Sequence, residues 1–481
     1  MSVIEGAPRA GGALGSEAGT LAGFVHDHCA GVLPLTAASP AFGDLPLEQH
    51  GLEWIAPDLA MVHPFRDGSA IALHRDLDAT AASLEATAAG AGSGWHELAS
   101  PLLARREQLL QTAFSPLPPG LPAMRLALAL RRDGIELARQ TLASAATFGL
   151  EVLGDARAAA WFSGSVIHGD LTPGSSGGAA FAMFLKLLGH IVGWPYPRGG
   201  AGRLTDALVS HLRSLGGELH CGIPASSIEV RGGRVRGVRL ANGEALDADA
   251  VVTTVSARPL AAMLADGALP TRAMNRLRGW RYGVGTFKVD FALEAPVPWT
   301  NADARNAGVV QLGDTLEAAF RSQQSAGLGQ VPEQPAMVIA QHSLHDPSRA
   351  PAGKHTLYVY THVPARPELP DGAIADRIEQ RIALFAPGFR DRVLARDVRS
   401  PERLERENAS LVGGDLGGGS MELDQQALFR PAPELSRYRT PLRGLYVAGA
   451  STHPGPGVHG VSGRGAADAL LADLSPLRFW R

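Results

Sequence analysis

Two glycine-rich stretches, one near each end of the 481-residue chain, carry the residue types that hold ribose and phosphate. Val3-Ile4-Glu5 reads as the end of a short buried strand closed by an acid, and Gly6-Ala7-Pro8-Arg9-Ala10-Gly11-Gly12 follows as a loop. In a dinucleotide-binding βαβ unit, an acid at the end of the second strand accepts hydrogen bonds from a ribose. Glu5 is the candidate for that role. Gly11 and Gly12 would let the backbone come close to a bound cofactor. The Gly-rich phosphate loop of such a unit lies roughly 20 residues ahead of the acid. The expectation is therefore that this loop and its strand precede Met1, through a late start or a truncation. Near the other end, the apolar strand Gly444–Ala450 runs into Ser451–Gly463, with Gly449, Gly455, Gly457 and Gly460 along the way. An Ala-rich helix follows, and strand, glycine loop and helix can aim N–H groups and a positive helix end at phosphate.

The elements that must position these loops can be read from periodicity. Residues 77–115 read as two helices broken near 89–94, and 121–148 and 179–194 also read as helical. Pro197-Arg198-Gly199-Gly200 opens a helix over 204–215, and a strand follows at 218–221. A hairpin then turns at Gly232-Gly233, with strands 227–230 and 235–240, and Asn242-Gly243 makes the next turn. Val230 and Val235 either place backbone near an adenine or are plain hairpin core. Strands are expected at 250–255, 280–292 and 356–361, while 371–406 reads as mostly helical with a solvated charged face. The sum is an α/β protein: a Rossmann-like domain, incomplete at its N-terminal side, beside a second α+β domain.

Composition narrows the function classes. With 44 Lys+Arg against 47 Asp+Glu, the net charge of -3 offers no bulk attraction for nucleic acid. No uninterrupted apolar stretch is long enough to span a bilayer, which leaves peripheral membrane contact open. Two cysteines, Cys29 and Cys221, imply no disulfide framework and suit a reducing, cytoplasmic compartment. His26, His28 and Cys29 lack a third assigned ligand, so no metal is expected. No Ser-His-Asp set can be assembled from spacing, and no second GxGxxG provides for a nicotinamide nucleotide.

Together these pieces resemble the flavin-dependent amine oxidase and phytoene desaturase superfamily over essentially the whole chain. The closest likeness is to its phytoene dehydrogenase-like branch of the pyridine nucleotide-disulfide oxidoreductase domain 2 type. The likeness rests on Glu5 with Gly11-Gly12-Ala13-Leu14-Gly15-Ser16, on Pro197–Gly200, on Asn408–Gly417, and on Tyr446–Gly460. It implies FAD as cofactor. Ala13 and Leu14 would join Gly11 and Gly12 beside the flavin, and Val230 would lie near the adenosine end. Ala450, Val458 and His459 would join Gly449, Gly457 and Gly460 in the C-terminal flavin motif. An arginine common in this family at Ala13 or Gly15 is absent, as is an acid at the Gly449-Ala450 strand end. His453 and His459 would either tune the ring or hold the loop, and Trp161, Phe162 and helix 179–192 would either line a substrate channel or form core.

The implied organisation is an FAD domain from 1–54, 196–274 and 411–481, and a substrate domain from 55–195 and 275–410. The implied activity is FAD-dependent oxidation or desaturation of an apolar small molecule, with oxygen or a quinone as candidate acceptors and no assigned catalytic residue. A homo-oligomer is left open. Two alternatives stand beside this: a flavin-free interaction or structural protein derived from the family, and a flavin amine oxidase.

Overall fold

The computed structural model describes residues 1–116, 120–130 and 133–475, so the expected helical stretch 121–148 and the last segment, 411–481, each include positions outside the described residues. Its largest element is a seven-stranded sheet ordered Val393–Arg399, Gly285–Leu293, His355–Val363, Met337–Ala340, Val309–Leu312, Leu59–Pro64, Ala70–His74. Neighbours run antiparallel except Val309–Leu312 with Leu59–Pro64, which are parallel. Side chains alternate across a strand, so the two faces can differ in chemistry. Phe287, Val289 and Phe291 share one face with Leu357 and Val359, and pack on Ile374, Ile378 and Ile382 of the helix Asp371–Ala383. The opposite face takes Lys288, Asp290, Tyr358 and Tyr360, in a register that sets Lys288 against Tyr360 and Asp290 against Tyr358. Helices Ala145–Leu153, Ala156–Ser163 and Gly178–Ile191 cover that side through Phe148, Trp161 and Leu187.

The Rossmann-like part is built from parallel pairs. Ser2–Glu5 pairs with Glu218–Cys221, and Val251–Thr253 pairs with Leu445–Val447. Between them in sequence lies an antiparallel three-stranded sheet, Ala225–Arg231, Arg234–Leu240 and Ala245–Asp247. Its first turn is the expected Gly232-Gly233, with φ of 60° and 68°, as a two-residue hairpin of the primed type requires. The helix Gly202–Ser214 precedes the second strand of the first pair, and Val461–Leu474 follows the last strand. This is the mixed α/β architecture the periodicity predicts.

Two expectations need correction. Residues 77–115 form three helices, Leu77–Thr87, Ala91–Leu103 and Arg106–Ala113, because a turn at 104–105 interrupts the second stretch. The charged run 371–406 holds a strand, Val393–Arg399, between two helices. Its Asp397 and Arg399 lie opposite Asp290 and Lys288, so charges that suggested a solvated face are compensated within the sheet. Of the two readings open for Trp161 and Phe162, the structure takes core: both are fully buried. Among the described residues, no helix is long and apolar enough to cross a membrane.

Phe291 is fully buried and stacks edge-on against Phe389 at 5.5 Å. Phe291→Ala is expected to cost about 3–5 kcal/mol, read as a shift in the denaturant midpoint. A loss below about 1 kcal/mol would contradict this account of the apolar face.

Candidate functional site

The glycine loops are held by turns that leave little room for side chains. Gly11 sits at φ 123°, and a Cβ there would lie 2.7 Å from the Leu14 carbonyl oxygen, whose own N–H returns to Gly11 O at 2.8 Å. Gly449 sits at φ 87°, with its Cβ position 2.6 Å from Thr254 O. Leu14 and Val458 pack in one small apolar cluster with Leu33, Ala201 and Leu204, which brings the N-terminal loop to the C-terminal one. Gly12 faces the Asn408 side chain, 3.1 Å from its Cβ position. Ala450 is fixed through its carbonyl, which accepts from Arg430 Nε at 2.8 Å.

His459 takes a structural part. Its Nδ1 accepts from Val461 N–H at 3.1 Å while Nε2 donates to Gly455 O at 3.1 Å, a pattern that needs the neutral ring. Burial pushes its pKa down to about 4. Its carbonyl accepts from Ser39 Oγ at 2.5 Å, and Val458 O accepts from Thr36 Oγ1. Gly460 and Gly457 lie against Phe42 and Leu35. His453 likewise holds the loop, through Nε2 to Ser115 O at 3.0 Å.

Glu5 keeps one carboxylate oxygen on the Ala7 N–H, at 2.8 Å, and the other has no described partner. The hairpin residue beside Gly6 is Pro224, and Val230 lies further along that extended strand, opposite Val235 and against the core below it.

A buried charge cluster locks these loops to the large sheet. Asp27 Oδ1 accepts from Ser16 Oγ (2.6 Å), Ala201 N (2.8 Å) and Arg349 Nη1 (3.0 Å). Asp346 Oδ2 accepts from Gly199 N at 2.7 Å and Arg349 Nε at 3.2 Å. Burial alone would raise Asp27, but Arg349, His342 and Ser16 together hold its carboxyl below the ordinary value.

The polar face of the large sheet is the second part of the site. Tyr360 Oη meets His168 Nδ1 at 3.0 Å, His168 Nε2 meets Gln311 Nε2 at 2.8 Å, and Lys186 Nζ reaches Gln311 Oε1 at 3.4 Å. Lys186 is fully buried over the Trp161 ring, 4.3 Å from its centre, with no carboxylate partner among the described residues, and burial holds its amine well below the ordinary pKa. Tyr358 Oη donates to Cys29 O, and Cys29 N donates to Ala13 O at 3.2 Å. The segment around Cys29 is thus the layer between the N-terminal glycine loop and this face. Lys288 and Arg399 neutralise Asp290, whose carboxyl burial nonetheless pushes up.

The structure therefore brings Gly11, Gly12, Ala13, Leu14, Gly449, Ala450, Gly457, Val458, His459 and Gly460 into neighbouring loops. It also assembles residues that spacing did not single out: Tyr358, Tyr360, His168, Gln311, Lys186 and Arg349. The period-2 placement of Tyr358 and Tyr360, and of Lys288 and Asp290, was the available signal. Among the described residues, no group of three or more His, Cys, Asp or Glu side chains is placed to hold a metal.

Comparison with known proteins fits this geometry. Residues 3–471 match the family of flavin containing amine oxidoreductases. The chain belongs to that family, within the superfamily that also contains the phytoene desaturases. The rat pyridine nucleotide-disulfide oxidoreductase domain-containing protein 2 is 30% identical over 332 residues, covering 64% of this chain and 57% of that protein. The lycopene-forming phytoene desaturase of a Paracoccus species is 28% identical over 301 residues, 58% of this chain and 56% of that enzyme. The chain matches a little over half the length of these curated relatives. An oxidoreductase structure from Methanosarcina mazei aligns with a TM-score of 0.61 at 15% identity, covering 98% of this chain and 94% of that one. A putrescine oxidase variant aligns at 0.60, also at 15% identity, covering 98% and 92%. These two likenesses bear on fold alone.

Two outcomes follow from the buried bases. His26 and His168 are pushed to about 3, and His63, His342, His362 and His459 to about 4, chiefly by burial. Their folded pKa values lie below the unfolded 6.5, so the unfolded state binds more protons between those values. Stability should hold above pH ~7 and fall steeply from about pH 6.5 to 4, as read by urea midpoints across that range; a flat profile there would refute it. Lys186→Met, of similar volume, should raise stability near neutral pH by about 1–3 kcal/mol and flatten the rise of stability with pH. Its folded pKa is depressed, so the lysine penalises folding wherever the unfolded amine is protonated. A destabilised variant would mean that the amine makes a bond the fold requires.

Proposed function

We propose that this chain is an FAD-dependent oxidoreductase that oxidises or desaturates an apolar small molecule, within the phytoene dehydrogenase-like branch. The observation that carries the reading is the layering of glycine loop, Cys29 segment and partly buried polar-aromatic face, linked by Cys29 N to Ala13 O and by Tyr358 Oη to Cys29 O. Family membership supports the cofactor.

The residues present fit FAD at three points. The helix Val461–Leu474 follows Gly460, which has no side chain to cap it; His459 Nδ1 takes the Val461 N–H, and the N–H groups of Ser462 and Gly463 have no described partner, which suits a phosphate oxygen. Glu5 has a free carboxylate oxygen for a ribose hydroxyl. Gly11 and Gly12 expose backbone at φ values only glycine adopts readily. When bound, FAD would accept a hydride equivalent from the substrate. The chain's own work is placement and partial exclusion of water: Arg430 fixes the loop at Ala450, and the helices over the large sheet bury Gln311 and partly cover Tyr360 and His168. The electron acceptor is oxygen or a quinone in this reading, and the surroundings are cytoplasmic.

The amine oxidase alternative is less well supported. A cationic amine needs an unpaired carboxylate or an open aromatic cage, and Asp290 on the polar face is already held by Lys288 and Arg399.

The test is the flavin content of chain purified with added FAD, by absorbance and mass spectrometry. Stoichiometric FAD supports the reading; folded chain without flavin supports the flavin-free alternative. Glu5→Ala should weaken FAD binding about tenfold, as expected for a lost hydrogen bond to a charged group, with an unchanged melting temperature. Unchanged affinity would remove Glu5 from the site.

A further inference from the structure

One concave surface is left without a role by the glycine loops and the polar face. Between the helix Thr271–Arg278 and the segment 424–433 lies a cleft of about 740 Å³, lined by Arg272, Arg276, Arg281, Trp280 and Phe429 among others. That size is typical of small-molecule sites.

Its chemistry is specific. Three guanidiniums share two carboxylates. Arg276 Nη1 bonds Glu434 at 3.0 Å, Arg272 Nε stands 3.9 Å from the same side chain, and Arg281 Nη2 bonds both oxygens of Asp424 at 2.8 and 2.7 Å. Each contact engages a single nitrogen, whereas a guanidinium carries five N–H donors. The cleft therefore keeps an excess of positive charge and of donors. Phe429 is 53% exposed, an aromatic ring left largely uncovered. Donor-rich cations beside an open ring recognise a flat aromatic body carrying a carboxylate, sulfonate or phosphate.

The floor joins the cleft to the glycine loops. Trp280 is buried, donates Nε1 to Gly418 O at 3.0 Å, and lies 5.6 Å beneath the Arg430 guanidinium. Arg430 in turn donates to the carbonyls of Gly417 (2.7 Å) and Ala450 (2.8 Å). A ligand in the cleft would sit one indole away from the loop that carries Gly449 and Ala450.

We propose that this cleft is a second ligand site, separate from the glycine loops, that takes a planar aromatic anion. It holds whether or not the chain binds FAD, because none of its lining residues belongs to the glycine loops.

The test is calorimetric titration of the purified chain with naphthalene sulfonate, with naphthalene methanol as the neutral analogue. Saturable one-to-one binding is expected, weakened by added salt and tighter than for the neutral compound. The double variant Arg272→Ser/Arg276→Ser and the single variant Phe429→Ser should each bind about tenfold more weakly. Both change exposed or half-exposed side chains, and circular dichroism melts verify the fold. If Phe429→Ser fails to fold, the arginine variant decides alone. No saturable binding, equal binding of the neutral analogue, or unchanged affinity in the arginine variant would overturn the proposal.

Discussion

Arg349 is the charge around which distant parts of the chain are arranged. It is fully buried and bonds Asp27 from the N-terminal segment and Asp346 from its own turn, while its carbonyl accepts from Val25 N–H at 2.8 Å. The same two carboxylates take the N–H groups of Gly199 and Ala201, where the Pro197–Gly200 loop enters the helix Gly202–Ser214. Burying an ion pair of this kind is at best weakly favourable against an apolar replacement, because two charges must leave water. Its effect is to penalise misplacement. Any shift of one loop leaves a carboxylate or the guanidinium buried without its partner, a cost of several kcal/mol. Electrostatics thus adds to the apolar packing of Ala13 and Cys29 against Leu404 and Leu411 in fixing the N-terminal loop.

A second cluster extends the same logic along the sheet. Lys288, Asp290 and Arg399 are all nearly fully buried, and Arg399 also engages Glu17, Asp397 and Glu407. His26 stands 3.6 Å from Asp290 but stays neutral, since burial and the Lys288 charge push its pKa to about 3. The charges end there. Further along the same face the polar groups are uncharged: Tyr360, His168, Gln311, and a Lys186 whose burial disfavours its ammonium. In a low-dielectric space such neutral donors and acceptors can be buried without counter-ions, provided they bond to one another.

The parts of this architecture that depend on local backbone were legible in the sequence, and those that depend on tertiary pairing were not. The strand at Val3–Glu5 (exposed at Val3 rather than buried as expected), the Gly232-Gly233 turn and the strand Leu445–Val447 each announce themselves through residues whose geometry is local. So do the glycine loops, because positive φ and close approach are properties of single residues. The strand Val393–Arg399 reads as helix in the sequence because its charges mimic a solvated face; it is a half-buried edge strand, and the carboxylate that lets Arg399 be buried is a hundred residues away at Asp290. Tyr360 and His168 come together only when the sheet and the turn after helix Ala156–Ser163 are packed. Arg349 carries no local signal at all: it lies in a short turn next to proline and serine.

His459 shows why the chemistry of a loop cannot be assigned from residue type. A histidine in a glycine-rich loop invites a catalytic role, yet both ring nitrogens here are engaged by backbone, at Val461 N and Gly455 O. Only the neutral ring satisfies both, and a protonated one would turn a donor against the Val461 N–H. The consequence reaches past the loop. By occupying the first N–H of the helix Val461–Leu474 with its own nitrogen, His459 fixes where the helix begins. The next two N–H groups, Ser462 and Gly463, are then left without a described partner at the positive end of the helix. The histidine does not meet an anion itself; it shapes the backbone that can.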